Sequence, residues 1–439
     1  MCLTIPGKII DIKNGMASIA ENQNQIKIDL GFVSGAKVGD WILYATERAV
    51  KIIDENEARE IINLLETKYK PVDNQKLPDR LKEMIVDLRA NQQGQRGKRK
   101  VKRITKPDIE YLLSLENPEE LTTLYSEANT LRKSELKDFV CIHGIIEFSN
   151  YCKNNCMYCG IQKDNESIKR YRMSADEIIE AAGDAIENEG YKLVVLQSGE
   201  DLSYSDDDII GIISALKNNH KVFIFLSVGE RSENFYRKAF AAGAHGSLFR
   251  FETSNPKLYA KLHPGHSLEQ RLSSLRTQQK IGYYVASGSL VGLPGQTISD
   301  IASDILMVKK LGVPMISSGP FIPTGGTPLY KIKSQSANRR TKVKTVELFL
   351  KYIAVSRLLM PEIKIPVTTA LETLDPENGR HRGLLAGANA LMFNLTPKKY
   401  CKNYKIYDNK YVEREKVWQK YGLFKGEESY EMLEKRLRF

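Results

Sequence analysis

The 439-residue sequence has few cysteines and no long apolar run, and both shortages exclude common protein classes. Six cysteines are too few for a disulfide scaffold. No apolar run is long enough to cross a bilayer, and the first residues lack the basic and then apolar pattern of a secretion signal. Three of the six cysteines fall within eight residues, which favours a metal site in a reducing compartment. The sequence therefore predicts a cytoplasmic globular protein without a membrane segment.

Positive charge is concentrated in one stretch of the chain. The net charge is +11, and residues 70–106, with twelve basic and four acidic side chains, contribute +8 of it. We predict that residues 71–106 form a basic linker with one modest amphipathic helix, followed by a solvated run at 96–103. RNA binding and docking to an acidic partner are the alternatives. Since the run has no interleaved aromatic side chains, nucleic acid is the weaker partner.

Residues 1–70 have the pattern of a small β domain. Short alternating runs at 8–13, 16–20, 25–30 and 40–44 are separated by turn residues such as Asn14-Gly15. Asp54, with Glu57 three residues later, is a capping pattern for a following helix with an apolar face. We predict a small, OB-like β-barrel with a C-terminal helix.

Residues 107–439 show repeated strand–helix units instead. Capping pairs open three of the helices: Ser174 with Glu177, Ser267 with Gln270, and Thr297 with Asp300. Glycines 190, 282 and 312 are predicted to end them. Eight apolar strands are predicted, at residues 144–148, 192–197, 222–227, 246–250, 284–289, 315–318, 365–369 and 390–393. This pattern predicts an α/β fold, a (β/α)8 barrel whose chemistry lies at the carboxyl ends of the strands.

The three clustered cysteines, Cys152, Cys156 and Cys159, follow the first barrel strand with the spacing C-x3-C-x2-C. Three thiolates on one loop can hold three irons of a 4Fe–4S cluster and leave the fourth iron open. An open iron can bind the amine and carboxylate of S-adenosylmethionine, whose reduction gives a 5′-deoxyadenosyl radical. A structural zinc site is the alternative. Zinc prefers four ligands, and His143 is the only histidine near the three cysteines.

This motif resembles the radical S-adenosylmethionine (radical SAM) superfamily. Within it, a series of further segments is similar to the HydE family of FeFe-hydrogenase maturases, which are relatives of biotin synthase and methylornithine synthase. The similarity covers roughly residues 105–415. The similar segments are 144–152, 170–172, 196–201, 227–231, 292–297, 319–323, 368–370 and 387–389.

The resemblance implies roles for individual residues. Those expected to contact S-adenosylmethionine are Tyr158, Ser198, Gly199, Glu200, Ser227, Glu252 and Arg271. Those expected on the substrate side are Gln197, Arg250, Thr368, Thr369 and Tyr400. A carboxylate accepts hydrogen bonds from hydroxyls and a guanidinium binds a carboxylate in two places, although an Arg–Glu pair is also a common structural ion pair. The sequence departs from the family pattern at Phe251 and Phe393, and Cys141 and Cys401 are expected to be buried thiols rather than ligands.

The N-terminus resembles a second family, HypC, the small chaperones of NiFe-hydrogenase maturation. The similarity is carried by residues 1–8, 38–43 and 54–58. In that family the cysteine at this position helps to carry an iron–carbonyl–cyanide fragment, so the resemblance implies that Cys2 is an iron ligand. A histidine that the family has after the strand is replaced by the Tyr44-Ala45-Thr46 segment.

Together the resemblances imply a radical SAM enzyme that acts on an iron–carbonyl–cyanide–cysteine complex during assembly of the diiron cluster of the hydrogenase. The implied cofactors are a 4Fe–4S cluster and S-adenosylmethionine. The implied partners are the other maturases HydG and HydF and a ferredoxin or flavodoxin as electron donor. A mutase resembling methylornithine synthase and a non-catalytic iron carrier are the alternative functions.

Overall fold

The computed structural model describes residues 5–21, 24–31, 33–45, 48–56, 58–59, 77–92, 104–136, 140–333 and 339–410. In these ranges the chain forms a small, mostly antiparallel β-barrel followed by a larger α/β barrel. Cys2, the basic run at 96–103 and residues 411–439 lie outside the described residues.

The N-terminal barrel contains the four predicted strands and one that was not predicted. Its strands are β1 (Ile5–Lys13), β2 (Met16–Glu21), β3 (Asn24–Asp29), β4 (Trp41–Ala45) and β5 (Arg48–Ile53), in the order β1-β2-β3-β5-β4. Asn14 and Gly15 both have positive φ, as a tight hairpin turn requires. We missed β5 because its last residues directly precede the helix cap Asp54. The amide of Ala58 donates to the carbonyl of Asp54, but most of the predicted helix lies outside the described residues.

Helix α1 (Asp79–Gln92) lies within the predicted linker. Leu77, Leu81 and Met84 are buried in the same apolar cluster as the α/β barrel. Arg80 lies 3.3 Å from a carboxylate oxygen of Asp108 and stacks on the ring of Tyr111. This helix therefore packs with the barrel core, while the linker boundaries themselves remain a prediction.

All eight predicted barrel strands are present in one sheet. Their order, β12-β10-β9-β8-β7-β6-β15-β14, is parallel throughout, and a bridge between Met315 and Lys364 connects its two edges. The strands are β6 (Cys141–Ser149), β7 (Leu193–Ser198), β8 (Phe223–Ser227), β9 (Gly246–Leu248), β10 (Tyr284–Ser287), β12 (Met315–Ile316), β14 (Pro366–Val367) and β15 (Ala390–Asn394). Two short strands, β11 (Leu290–Val291) and β13 (Gly319–Pro320), pair above the sheet. The (β/α)8 prediction is confirmed.

Helices cover the outside of this sheet. The three predicted capping boxes are present, and Gly282 and Gly312 take the left-handed conformation that ends α8 and α9. Gly190 also has the predicted positive φ, 75°, but it follows the last helical residue, Glu187, by three positions, and Asn188 is the C-cap. The helices are α2 (Lys106–Leu113), α3 (Pro118–Leu136), α4 (Ala175–Glu187), α5 (Asp206–Asn219), α6 (Glu233–Ala241), α7 (Pro256–Leu262), α8 (Leu268–Ile281), α9 (Ile298–Leu311), α10 (Pro328–Lys333), α11 (Arg339–Leu359), α12 (Thr369–Leu374), α13 (Gly379–Leu385) and α14 (Lys398–Cys401).

The core has two parts around the strands. The larger cluster lies between strands and helices, whereas a smaller one, with Ile145, Val195, Phe225 and Met392, fills the inside of the barrel. Inward-facing residues nearer the carboxyl ends of the strands are polar and line a cavity. Among the described helices, none combines the length and the apolar composition of a membrane span.

Candidate active site

A cavity lies at the carboxyl ends of the barrel strands. Its wall includes Glu147 on β6, Gln197 on β7, Ser227 on β8 and Asn394 on β15. Because parallel strands bring their carboxyl ends to one side of a barrel, residues far apart in sequence meet there. The cysteine loop that follows β6 closes one side of this cavity.

All three clustered cysteines line the cavity. Their loop is held from several sides. The amide of Lys153 donates to the carbonyl of Glu200 over 3.0 Å, and that of Met157 donates to the carbonyl of Leu262 over 2.9 Å. At the end of the loop, a Cβ on Gly160 would lie 2.0 Å from the carbonyl oxygen of Lys405, so only glycine fits there. Contacts with the neighbouring backbone therefore fix the position of the cysteine loop, and with it the three thiols, in the cavity wall.

All three thiols have raised pKa values, so they stay protonated when no metal is bound. Burial raises the pKa of Cys152, raises that of Cys156 well above its usual range and raises that of Cys159 to about 12, and mutual repulsion of the thiolates adds to the shift for Cys156 and Cys159. Iron stabilises the thiolate form and replaces the proton, so this donor set suits a metal cluster. Within the described ranges, no three His, Cys, Asp or Glu side chains are arranged to share one metal ion. A cubane instead takes each thiolate on a separate iron.

Ser198 ends β7, and Gly199 and Glu200 follow it and lie against the cysteine loop. A Cβ on Gly199 would lie 2.2 Å from the carbonyl oxygen of Tyr151, so the chain passes too closely for any side chain. Glu200 is buried, and its Oε2 lies 3.2 Å from the ammonium of Lys153 but accepts no hydrogen bond within the described structure. This leaves acceptor capacity for a ligand with amine or hydroxyl groups.

Glu252 is the second carboxylate in the cavity with unused acceptor capacity. It has a positive φ of 64°, which is uncommon outside glycine. Its Oε1 lies 3.4 Å from Nε of Arg250, and its buried Oε2 has no hydrogen-bond partner among the described residues. A strained residue with an unpartnered oxygen indicates a site that binds a ligand.

Arg271 does not pair with Glu252. Its Nε donates to the hydroxyl of Tyr259 over 3.1 Å and lies 3.1 Å from a carboxylate oxygen of Glu230. The guanidinium also stacks on Phe249. These contacts orient Arg271 in the cavity wall, where it is nine-tenths buried.

Tyr158, directly before Cys159, is fixed through a histidine. Its hydroxyl lies 2.9 Å from Nε2 of His263, whose Nδ1 lies 3.1 Å from the carbonyl oxygen of Tyr259. Burial lowers the pKa of His263 to about 3, so the ring is neutral. The carbonyl can only accept, so Nδ1 carries the proton and the Tyr158 hydroxyl donates to Nε2.

The structure brings four of the five predicted substrate-side residues to the cavity: Gln197, Arg250, Thr368 and Thr369. The buried Thr368 hydroxyl has no hydrogen-bond partner in the described ranges, whereas that of Thr369 is 2.5 Å from the hydroxyl of Tyr407. Tyr400 is not brought there. It lies on α14, donates to Glu177 on α4 over 2.8 Å and stacks on Tyr171, so we withdraw it from the substrate side.

Comparison with known proteins agrees with this architecture. A model of the radical SAM superfamily matches residues 146–308, and a model of the HupF/HypC family matches residues 1–65. The chain is 44% identical over 293 residues to a protein of Thermotoga maritima described as [FeFe] hydrogenase maturase subunit HydE. That alignment covers 67% of this chain and 81% of the relative.

The chain belongs to the HydE family. It is a radical SAM enzyme with an N-terminal HypC-like module. It is also 32% identical over 311 residues to a 3-methylornithine synthase of Methanosarcina acetivorans, covering 70% of this chain and 85% of the relative. The crystal structure of methylornithine synthase (PylB) superposes with a TM-score of 0.64 at 28% identity, over 76% of this chain and 92% of that one. The structure of HydG, a maturase of the [FeFe]-hydrogenase, shares the fold with a TM-score of 0.61 at 18% identity, over 81% of this chain and 76% of that one.

The HydE-like cavity contains residues that the sequence reasoning missed. Glu147, Tyr404, Tyr407 and Lys410 all line it. The sequence did indicate a special role for Glu147, because a carboxylate in the middle of an apolar strand must have a buried partner. Residues 404–410 carried no such signal, since they form no regular element that a periodic pattern could indicate.

The remaining cysteine predictions have different outcomes. Cys141 and Cys401 are buried, as expected, and lie outside the cavity wall, while their lack of a ligand role stays a prediction. Cys2 lies outside the described residues, so its role as an iron ligand stays a prediction.

Proposed function

We propose that this protein acts as a HydE-type maturase, a radical SAM enzyme that modifies an iron–carbonyl–cyanide–cysteine substrate during assembly of the FeFe-hydrogenase active site. One observation carries the proposal: three thiols on a single loop share a cavity with two buried carboxylates, each with an oxygen that accepts no hydrogen bond in the described structure. The 44% identity to the Thermotoga maritima relative supports the hydrogenase context.

The side chains fit the two cofactors that the family implies. Cys152, Cys156 and Cys159 would hold a 4Fe–4S cluster. Around it, Glu200, Glu252 and Arg271 would bind the polar groups of S-adenosylmethionine, with Tyr158, Ser198, Gly199 and Ser227 completing the wall. When bound, the cluster and S-adenosylmethionine supply a 5′-deoxyadenosyl radical.

The chain's own contribution is orientation and enclosure. Gly199 allows the backbone after β7 to approach the cysteine loop, and the Glu200 and Glu252 carboxylates offer fixed acceptors to amine and hydroxyl groups. In the same cavity wall, the unpartnered Thr368 hydroxyl, Gln197 and Arg250 offer donors to a substrate. The strand ends and the cysteine loop surround the cavity, which reduces the water that an organic radical would otherwise meet.

The N-terminal module supports a carrier role in the same process. We propose that it receives or presents the iron complex through Cys2, because a thiolate suits a soft iron centre. The fusion of HypC-like and HydE-like parts supports this, since it joins two hydrogenase-maturation families in one chain. HydG and HydF as cooperating maturases, a ferredoxin or flavodoxin as reductant and a cytoplasmic location belong to the same proposal.

A second candidate function is a mutase of the methylornithine synthase type. The 32% identity and the TM-score of 0.64 to that enzyme favour it over other small-molecule chemistry. Feeding lysine to the reduced, reconstituted protein distinguishes the two: a methylated ornithine product would support the mutase and contradict the maturase.

The proposal is tested in two stages. Reconstituted protein reduced by dithionite should convert S-adenosylmethionine to 5′-deoxyadenosine, and Cys156→Ala should abolish this because the cluster loses a ligand. Cys401→Ala is the matched control, since this thiol is buried outside the cavity. The protein should then be required for activation of apo FeFe hydrogenase in a defined maturation mixture. Equal cleavage by Cys156→Ala, or full activation without the protein, contradicts the proposal.

A further inference from the structure

Residues 403–410, which we call the C-terminal strap, form part of the cavity wall without being a helix or strand of the barrel. Tyr404, Ile406, Tyr407 and Lys410 all line the cavity. The strap therefore supplies side chains to the substrate side, although it follows the last barrel strand by several residues. Something other than sheet hydrogen bonding must hold it in place.

Three contacts attach the strap to neighbouring loops. The amide of Gly160, directly after Cys159, donates to the carbonyl of Ile406 over 3.0 Å. The side-chain amide of Asn150 donates to the carbonyl of Asn403 over 2.8 Å, and the amide of Gly325 donates to the Asp408 carboxylate over 2.8 Å. The strap thus lies directly against the cysteine loop.

The fourth attachment is a buried ion pair at the end of the strap. The Lys410 ammonium donates to Oε1 of Glu147, and the two side chains are only 6% and 3% exposed. The side-chain amide of Asn394 donates to the other carboxylate oxygen over 2.8 Å, and Lys410 also lies over the Tyr404 ring, 4.9 Å from its centroid. A buried pair with both carboxylate oxygens satisfied is costly to break, because removing either partner leaves an unpaired buried charge.

The backbone turns sharply just before Lys410, and this turn places the ammonium beside Glu147. Asn409, directly before Lys410, has a φ of 52°, a left-handed turn that asparagine tolerates better than most residues. Glu147, the other partner of the ion pair, is held by the loop after β15, because its backbone amide donates to the Thr396 hydroxyl over 2.8 Å. Glu147 lies on the first barrel strand and Lys410 follows the last one, so their ion pair connects the beginning and the end of the barrel.

We propose that Lys410 and Glu147 form a buried latch that holds the C-terminal strap, and with it Tyr404 and Tyr407, against the substrate side of the cavity. Both are positioning residues. Tyr404 contacts the latch directly, since Lys410 lies over its ring, whereas Tyr407 is on the same strap and its hydroxyl lies 2.5 Å from that of Thr369. The latch itself follows from contacts, and only its catalytic consequence rests on the proposed function.

Hydrogen exchange followed by mass spectrometry tests the latch without any assay of activity. In Lys410→Met, peptides covering residues 153–163 and 403–410 should exchange on the order of a hundredfold faster, because an unpaired Glu147 carboxylate favours the opened strap. Lys405→Met is the matched control, since this lysine is on the same strap but its side chain is exposed. Glu147→Gln, which keeps the side-chain size, repeats the measurement if Lys410→Met folds poorly.

The double variant Glu147→Gln, Lys410→Met distinguishes a coupled pair from two separate effects. Removing both charges should accelerate exchange less than Lys410→Met alone, because no unpaired charge remains buried. Wild-type exchange in Lys410→Met and in Glu147→Gln, or effects that simply add in the double variant, would overturn the latch.

A second readout addresses catalysis. In Lys410→Met, the ratio of 5′-deoxyadenosine formed to product formed should rise about tenfold, because a loosened wall lets the radical be quenched outside the substrate. The dissociation constant of S-adenosylmethionine should stay near that of the wild type. If hydrogen exchange is faster but the ratio is unchanged, the latch is supported and its catalytic role is overturned. Absence of S-adenosylmethionine cleavage in the wild type would instead reject the proposed function.

Discussion

At the scale of single residues, the most informative position is Glu252. A left-handed conformation costs a residue with a side chain about 1–2 kcal/mol, and its buried Oε2 accepts no hydrogen bond in the described structure. The ion pair with Arg250 accounts for Oε1, but no contact among the described residues satisfies Oε2. Ligand binding explains such a residue, because strain and unpartnered polar atoms persist where function requires them.

This reasoning predicts opposite effects of one substitution on stability and binding. Glu252→Gly removes the left-handed strain and the underbonded carboxylate, against an entropic loss of about 0.5–1 kcal/mol for glycine and the loss of the partly exposed ion pair with Arg250, worth about 0–1 kcal/mol. We expect the free energy of unfolding of the apoprotein to rise by about 1 kcal/mol in urea titration. Binding of S-adenosylmethionine should weaken about tenfold or more, as measured by calorimetry on the reconstituted protein, because charged hydrogen bonds are lost.

The conservative variant separates these two effects. Glu252→Gln keeps the side chain and the strain, so it should weaken binding without the gain in stability. If Glu252→Gly destabilises the apoprotein, or binds S-adenosylmethionine as tightly as the wild type, the role assigned to Glu252 is wrong.

At the scale of helices and strands, the sequence was most informative where a local rule decides the outcome. Capping boxes at Ser174, Ser267 and Thr297 and left-handed glycines at 282 and 312 were predicted and confirmed. Gly190 is also left-handed, as predicted, but it lies three residues beyond the helix end at Glu187, and β5 was missed because it lies next to a helix cap.

Two glycines allow the helix-end rule to be tested with a matched control. Gly282 has a φ of 111° and ends α8, whereas Gly211 lies inside α5 with open space around it. Gly282→Ala should lower the free energy of unfolding by about 1 kcal/mol or more, because alanine is strained at positive φ. Gly211→Ala should raise it by about 0.5–1 kcal/mol through helix propensity. Equal changes in the two urea titrations would contradict this assignment of helix ends.

At the scale of the whole molecule, the barrel and most of its site were predictable, but the strap was not. Cys152, Gln197 and Glu252 each follow or end a strand, so the fold itself places them in one cavity. Tyr404, Tyr407 and Lys410 reach the same cavity from an irregular segment, through contacts with residues such as Glu147 that are about 260 positions away. Tyr400 was misplaced for the same reason: its direction depends on how α14 packs on α4.

The fusion of a HypC-like module to a HydE-like barrel predicts how many iron complexes the protein binds. If the HypC-like module carries the iron complex, the full-length protein should bind two equivalents, one through Cys2 and one in the barrel cavity. Cys2→Ser should lose one equivalent because a hydroxyl is a poor ligand for a soft iron centre. Infrared carbonyl and cyanide bands of protein loaded with the complex measure both sites, and Cys401→Ser is the control. If Cys2→Ser keeps the same bands and the same stoichiometry, the module carries no iron through this residue, and the HydE-like barrel alone handles the substrate.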